Sequence, residues 1–217
     1  MEYALGYYSN QLITSSARFG NVAFSQGSLL HSCENRIYHN QPLVAPKDVK
    51  RYFLTEEEAS RLSILATFNS KSGELFVPNI KKSSAQSDFP SIIRKLLRQK
   101  GYKMLEVKSE NTARKLAKNI KNKKEWPCLL FHSDTTGEKN EEFFLSSRDK
   151  IKNKKFKEIE IVDISNLRKI NRIKTIRNKL NMLKKKSWTE KHIIKLVKEI
   201  IENFNHIYKG KSLEEKM

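Results

Sequence analysis

The sequence predicts an α/β fold, because short β-branched or apolar runs alternate along it with longer stretches of helical periodicity. Two capping-box signatures, Thr55 with Glu58 and Ser187 with Glu190, open two of the helical stretches, and Gly101 closes another. With 217 residues, 38% hydrophobic and 31% charged, the chain can build a real core and is too apolar for a disordered polyampholyte.

Taken in order, the alternating, β-branched run Leu12 to Phe19 predicts a buried strand ended in a loop by Gly20 and Asn21. Ser28 to Tyr38 is a helix and Pro42 to Ala45 a short strand. Thr55 caps a helix running to about Phe68, followed by a strand over Glu74 to Val77. Pro90 to Gln99 is a helix, Lys103 to Val107 a strand, Thr112 to Ile120 a helix and Pro127 to His132 a strand. A charge-rich loop is expected around 148–157, then a last strand at Glu158 to Val162, and helix from Leu167 onward. In that tail Ile193, Val197, Ile200, Phe204 and Ile207 recur at helical spacing, widened by Ile194 and Ile201, as one apolar stripe.

Composition excludes several classes. No apolar run approaches the roughly 20 residues that span a bilayer, and the N-terminus lacks the pattern of a secretory signal. Cys33 and Cys128 are too few and too far apart for a disulfide framework, so a reducing cytoplasm is the expected compartment and no membrane partner is expected. The five histidines form no metal pattern: His31 with Cys33, and His132 with Cys128, leave any ligand set incomplete. The net charge of +19 raises nucleic acid as a partner. Residues 150–217 carry 20 Lys/Arg against 8 Asp/Glu, which is +12 of that total. Those lysines lack interleaved aromatics for stacking bases, so a solvated basic surface is the preferred reading.

The stretch Ala17-Arg18-Phe19-Gly20-Asn21-Val22-Ala23-Phe24-Ser25-Gln26-Gly27-Ser28, with Lys50-Arg51-Tyr52-Phe53-Leu54-Thr55 and then Glu58-Ala59, carries a resemblance to a known family. It resembles the second half of extended short-chain dehydrogenases/reductases, in the nucleotide-sugar 4,6-dehydratase branch (UDP-N-acetylglucosamine 4,6-dehydratase-like) of bacterial polysaccharide synthesis. The resemblance is strongest over 14–60 and weakest over 81–125 and 143–186. It implies the C-terminal part of an extended Rossmann-type fold. Residues 1–80 would complete the core and carry substrate-binding segments. Residues 81–147 would form a small α/β region, and 148–217 a basic, mostly helical region.

The resemblance also implies site residues. Asn21 would hydrogen-bond the bound sugar nucleotide, with Arg18 and Ser25 beside it. Arg51 would meet the diphosphate, and Glu58 would stand in the helix that follows. Each has a local alternative. Arg18 could pair with a carboxylate, Asn21 could be a turn residue, and Glu58 could serve only its capping box. The turn Ser133 to Lys139 is read as a plain polar turn.

The family's chemistry needs a bound NAD(P) and a Tyr-x-x-x-Lys pair. The seven glycines never form G-x-G-x-x-G or G-x-x-G-x-x-G, and none of the seven tyrosines has Lys four residues later. The expectation is therefore a truncated or split chain that holds a UDP-sugar, binds no cofactor itself and is inactive alone. A separately encoded N-terminal half, or a second copy of the chain, would be its protein partner. Rival readings are a basic nucleic-acid-binding protein and a ligand-free oligomerisation module.

Overall fold

The computed structural model describes residues 2–79, 86–120, 124–134, 136–146, 149–153, 155–165, 172–185, 187–200, 204, 206 and 207. The first elements are α1 (Glu2–Tyr8), β1 (Ser15–Ala17), β2 (Asn21–Val22), α2 (Leu29–Tyr38), β3 (Leu43–Pro46), β4 (Lys50–Arg51) and β5 (Phe53–Leu54). Next come α3 (Glu56–Asn69), β6 (Glu74–Pro78), β7 (Ser87–Asp88), α4 (Phe89–Gln99), β8 (Lys103–Val107), α5 (Glu110–Ala117) and β9 (Glu125–Phe131). The last are β10 (Ile151–Asn153), β11 (Ile159–Asp163), α6 (Arg172–Lys184) and α7 (Glu190–Ile200). They fall into two compact units that interleave along the chain. One comprises Met1–Arg18, Arg61–Ser83 and Phe144–Lys209; the other comprises Phe19–Ser60, Ser84–Phe143 and Gly210–Met217.

The first unit holds a four-stranded sheet in the order β1-β6-β11-β10. Strand β1 runs parallel to β6, with Ser15 opposite Glu74 and Ala17 opposite Phe76, and β11 returns antiparallel on the other side of β6. Four successive residues of β6, Glu74 to Val77, are buried, as a central strand covered on both faces requires. Phe76 packs with Leu62, Ala66 and Ile161, and Phe156 leans against it. Gly73 immediately precedes this strand at φ +82°, where a Cβ would come within 3.0 Å of the Ser165 Cβ, so the turn needs glycine.

The second unit is built on the parallel sheet β3-β9-β8, the arrangement expected of an α/β fold. Leu43 pairs with Cys128 and Lys103 with Glu125. Trp126, only 1% exposed, anchors the core with Leu43, Val49, Ile93 and Leu97, and its Nε1–H donates to the Gln41 carbonyl at 3.0 Å. Helix α4 presents the opposing apolar face. It is opened by the Asp88 carboxylate, which accepts the Ser91 N–H at 2.8 Å, and by Pro90 in the first turn. Cys33 and Cys128 are both free thiols in this core, each pushed up to about 12, chiefly by burial.

Several expectations need correction. The strand predicted over Leu12 to Phe19 forms only at Ser15–Ala17, with Leu12 and Ile13 exposed. Asn21 is not simply loop; it starts β2. The segment around 148–157, predicted as a loop, contains β10, paired antiparallel with β11. The second cap starts two residues later than predicted: Thr189 precedes α7, and its N–H donates to the His192 Nδ1 at 3.1 Å, while the Glu190 carboxylate lies 3.6 Å from the His206 Nε2. Residues 80–85, 166–171 and 208–217 lie outside the described residues, as does the start of the predicted tail helix. Among the described residues no helix is long and apolar enough to cross a membrane.

Candidate functional site

In the second unit the two motif segments meet through their backbones. Asn21 donates its N–H to the Tyr52 carbonyl at 2.8 Å, and Ala23 donates to the Leu54 carbonyl at 2.8 Å. This makes β2 and β5 a parallel pair in which Asn21 stands opposite Phe53. The Asn21 backbone is thus bonded to the residue that follows Arg51, although 30 positions separate the two in sequence. Asn21 is partly exposed.

Beyond β2 the chain turns tightly. Phe24 has φ +60° and Gly27 φ +78°, and the Ser25 hydroxyl donates to the Val22 carbonyl at 2.9 Å. Ser28 then caps α2, its hydroxyl accepting the His31 N–H at 3.2 Å. The turn therefore delivers Ser25 and the first N–H groups of α2 next to β2. A Cβ at Gly27 would meet open space, so glycine is required there by backbone conformation and not by packing.

Arg51 lies on β4, opposite Ser87 of β7, and its side chain is only 11% exposed. Three acceptors surround the guanidinium. Nη1 donates to the Lys50 carbonyl at 2.8 Å, Nη2 lies 3.3 Å from Glu138 Oε1, and Nε lies 3.4 Å from Glu142 Oε1. Glu138 also accepts from the Ser133 hydroxyl, and Asp48 accepts the Ser133 N–H at 2.8 Å while facing His132. The segment Ser133 to Lys139, read from sequence as a plain polar turn, thus brings an acid to Arg51. Sequence reasoning missed Glu138 and Glu142. The available signal was a cluster of three glutamates, 138, 141 and 142, in an otherwise basic chain.

Two further predicted site residues have their polar atoms occupied locally. Glu58 completes the capping box of α3: its Oε2 accepts the Thr55 N–H at 2.7 Å, and its own N–H donates to the Thr55 hydroxyl at 3.1 Å. Arg18 belongs to the other unit. Its Nε and Nη2 engage Glu2 side-on at 2.9 and 2.6 Å, its Nη1 meets Asp149 at 2.9 Å, and Nη1 also donates to the Phe144 carbonyl. The bonds to Glu2 raise the guanidinium's pKa above its ordinary value; burial opposes them and Asp149 adds to them.

Comparison with known proteins identifies the family. Residues 3–164 match the family described as polysaccharide biosynthesis protein, which is well over half of the chain. The chain belongs to that family. It is 33% identical over 115 residues to the capsular polysaccharide biosynthesis protein CapD of Staphylococcus aureus, an overlap of 51% of this chain and 19% of CapD. It is 29% identical over 94 residues to the uncharacterized membrane protein MJ1061 of Methanocaldococcus jannaschii, covering 43% of this chain and 28% of that protein. The chain thus spans less than a third of either curated relative. Among solved structures, Pen from Bacillus thuringiensis superposes with a TM-score of 0.55 at 19% identity, over 75% of this chain and 45% of that one. The likeness shows a shared fold, α/β and part of a Rossmann-like architecture.

A dinucleotide would require a glycine-rich loop at a helix N-terminus. The left-handed glycines of the structure, Gly27, Gly73, Gly101 and Gly137, stand singly in four separate turns. Gly73 is tied to Ser165 packing. The residues present do not fit that cofactor. Among the described residues no group of three or more His, Cys, Asp or Glu could hold a metal ion.

Proposed function

We propose that this chain is the nucleotide-sugar-binding portion of a UDP-N-acetylhexosamine 4,6-dehydratase-like protein and has no dehydratase activity by itself. Membership of the polysaccharide biosynthesis family supports this reading at the coarse level. The observation that carries the finer one is the β2–β5 pairing, which joins Asn21 and the Ser25 turn to the Arg51 segment. In this reading Arg51 takes the diphosphate, Asn21 offers its amide to the sugar nucleotide, and Ser25 with the α2 N-terminus borders the anion. One Arg–phosphate contact is worth about 1.5–3 kcal/mol as a charge-assisted bond. Arg18 and Glu58 are assigned to the scaffold, because carboxylates and a capping box already take up their polar groups.

The hydride chemistry of the family would need a dinucleotide loop and a Tyr-x-x-x-Lys pair, neither of which these 217 residues contain. Calorimetry with UDP-N-acetylglucosamine and with NAD(P) tests the proposal. Weak UDP-sugar binding, little NAD(P) binding and no 4-keto product are the expected results. An Arg51→Ala variant with unchanged UDP-sugar affinity would sink it, as would turnover by the purified chain alone.

A further inference from the structure

The guanidinium of Arg51 is nearly buried, yet neither of its carboxylate partners holds it well. Charge-assisted bonds to a guanidinium settle at about 2.7–2.9 Å and are often bidentate. Glu138 and Glu142 stand at 3.3 and 3.4 Å, each through a single oxygen. Two acids thus share one cation, leaving an excess negative charge in partly desolvated surroundings. Glu142 shows the consequence, since its Oε2 is buried and has no hydrogen-bond partner among the described residues. An unpartnered carboxylate oxygen of this kind costs free energy, and a state that lets Glu142 return to water removes that cost.

We infer that Glu138 and Glu142 are internal stand-ins for an external anion at Arg51, so that a diphosphate group enters by displacing them. The inference rests on the assignment of Arg51 to the diphosphate and adds a gate to it. Two carboxylate oxygens already placed along the Nε and Nη2 edge of the guanidinium mimic an anion that presents two oxygens to that edge. Both acids sit on the chain segment that follows β9, outside regular secondary structure, where they can leave without breaking a sheet. The Ser133 hydroxyl gives Glu138 a second attachment, which its release must also break.

The test uses inorganic pyrophosphate and UDP-N-acetylglucosamine as probes, titrated by calorimetry into the wild-type chain, Glu138→Gln, Glu142→Gln and Arg51→Ala. The glutamine variants keep size and remove charge, and thermal melts confirm their folding. Each is expected to bind pyrophosphate about 10-fold more tightly than wild type, in line with the removal of one charge-assisted competitor. Binding lost in Arg51→Ala but unchanged in both glutamine variants overturns the gate while leaving the binding site standing. Binding unchanged in Arg51→Ala, or absent from all four proteins, overturns the site and the gate together. A variant-free readout covers the case of misfolding: in the wild-type chain, saturating pyrophosphate should shift the backbone amide resonances of Glu138 and Glu142. Unmoved resonances at saturation overturn the gate.

Discussion

Arg18 in one unit and Arg51 in the other both face two acids, but the geometry of the two sites differs. Arg18 is gripped side-on by Glu2 at 2.6 and 2.9 Å and met by Asp149 at 2.9 Å, with its side chain a quarter exposed. Arg51 is more deeply buried and more loosely held, at 3.3 and 3.4 Å. Close, bidentate contact makes an arginine part of the scaffold. Long, single-oxygen contact in a buried place leaves it ready to change partners. The two motif arginines, alike in sequence, thereby separate into a clamp and a candidate ligand.

The strongest way to break this contrast is to delete each arginine and compare the losses. Arg18→Ala strands Glu2 and Asp149 and is expected to cost about 2–4 kcal/mol, below the full value for a buried pair because the site is partly exposed. Arg51→Ala strands Glu138 and Glu142 in the same way but is expected to cost about half as much, since the contacts it removes are long, single-oxygen ones. Urea midpoints decide it. Equal losses would dissolve the distinction between clamp and ligand.

Both cysteines lie in the unit of Arg51, so thiol titration reports on that unit alone. Burial raises each to about 12, and an acid group with a raised folded pKa stabilises fully only below its unfolded value. Unfolding therefore releases protons above the unfolded value of about 8.5, and stability falls as pH rises towards the folded one. The expected loss is roughly 1 kcal/mol per thiol near pH 9, and Cys33→Ala with Cys128→Ala should flatten the alkaline limb. Rapid labelling of either thiol in the native protein at pH 8 would contradict the burial on which this rests.

Much of the fold was legible in the sequence where local chemistry decides it. The strand Lys103 to Val107 is found at those bounds, and the Thr55 capping box forms as the pattern requires. What was not legible depends on partners distant in the chain. Strand β10 is only three residues of a lysine-rich segment and exists because β11 offers it a ladder. The Leu12 to Phe19 run alternates like a strand, yet only the three residues opposite Glu74 to Phe76 find a partner. At the site, Arg51 could be singled out by its motif, but its acids lie 87 and 91 positions away, Glu138 in a turn that looked merely polar and Glu142 just beyond it. No local pattern encodes such a meeting.

Acid pH probes the strand pair that carries Arg51. Asp88 sits opposite Lys50 in β4–β7 and caps α4. Burial alone would raise its pKa, but the N–H and hydroxyl of Ser91, its own backbone and Arg94 outweigh that and hold the carboxyl below its ordinary value. A depressed folded pKa means stabilisation that is present above the unfolded value of about 3.9 and fades as pH falls through the folded one. Asp88→Ala should cost about 1 kcal/mol at neutral pH, with the difference from wild type vanishing in that acid window. A difference that persisted below it would assign the effect to helix propensity instead.

The smallest expected effect belongs to Glu58 and settles whether it is scaffold or ligand. Its carboxylate accepts from both the N–H and the hydroxyl of Thr55, and its side chain is exposed at the start of α3. A capping-box acid in such a place contributes about 0.5–1 kcal/mol, so Glu58→Ala should lower stability by that amount. Glu58→Gln, which keeps an acceptor oxygen, should recover most of it. If capping is the whole of its role, neither variant changes UDP-sugar affinity measured well below the melting temperature. An affinity loss in Glu58→Ala that Glu58→Gln does not restore would return the residue to the ligand, because it would show that the charge, and not the cap, is what the site uses.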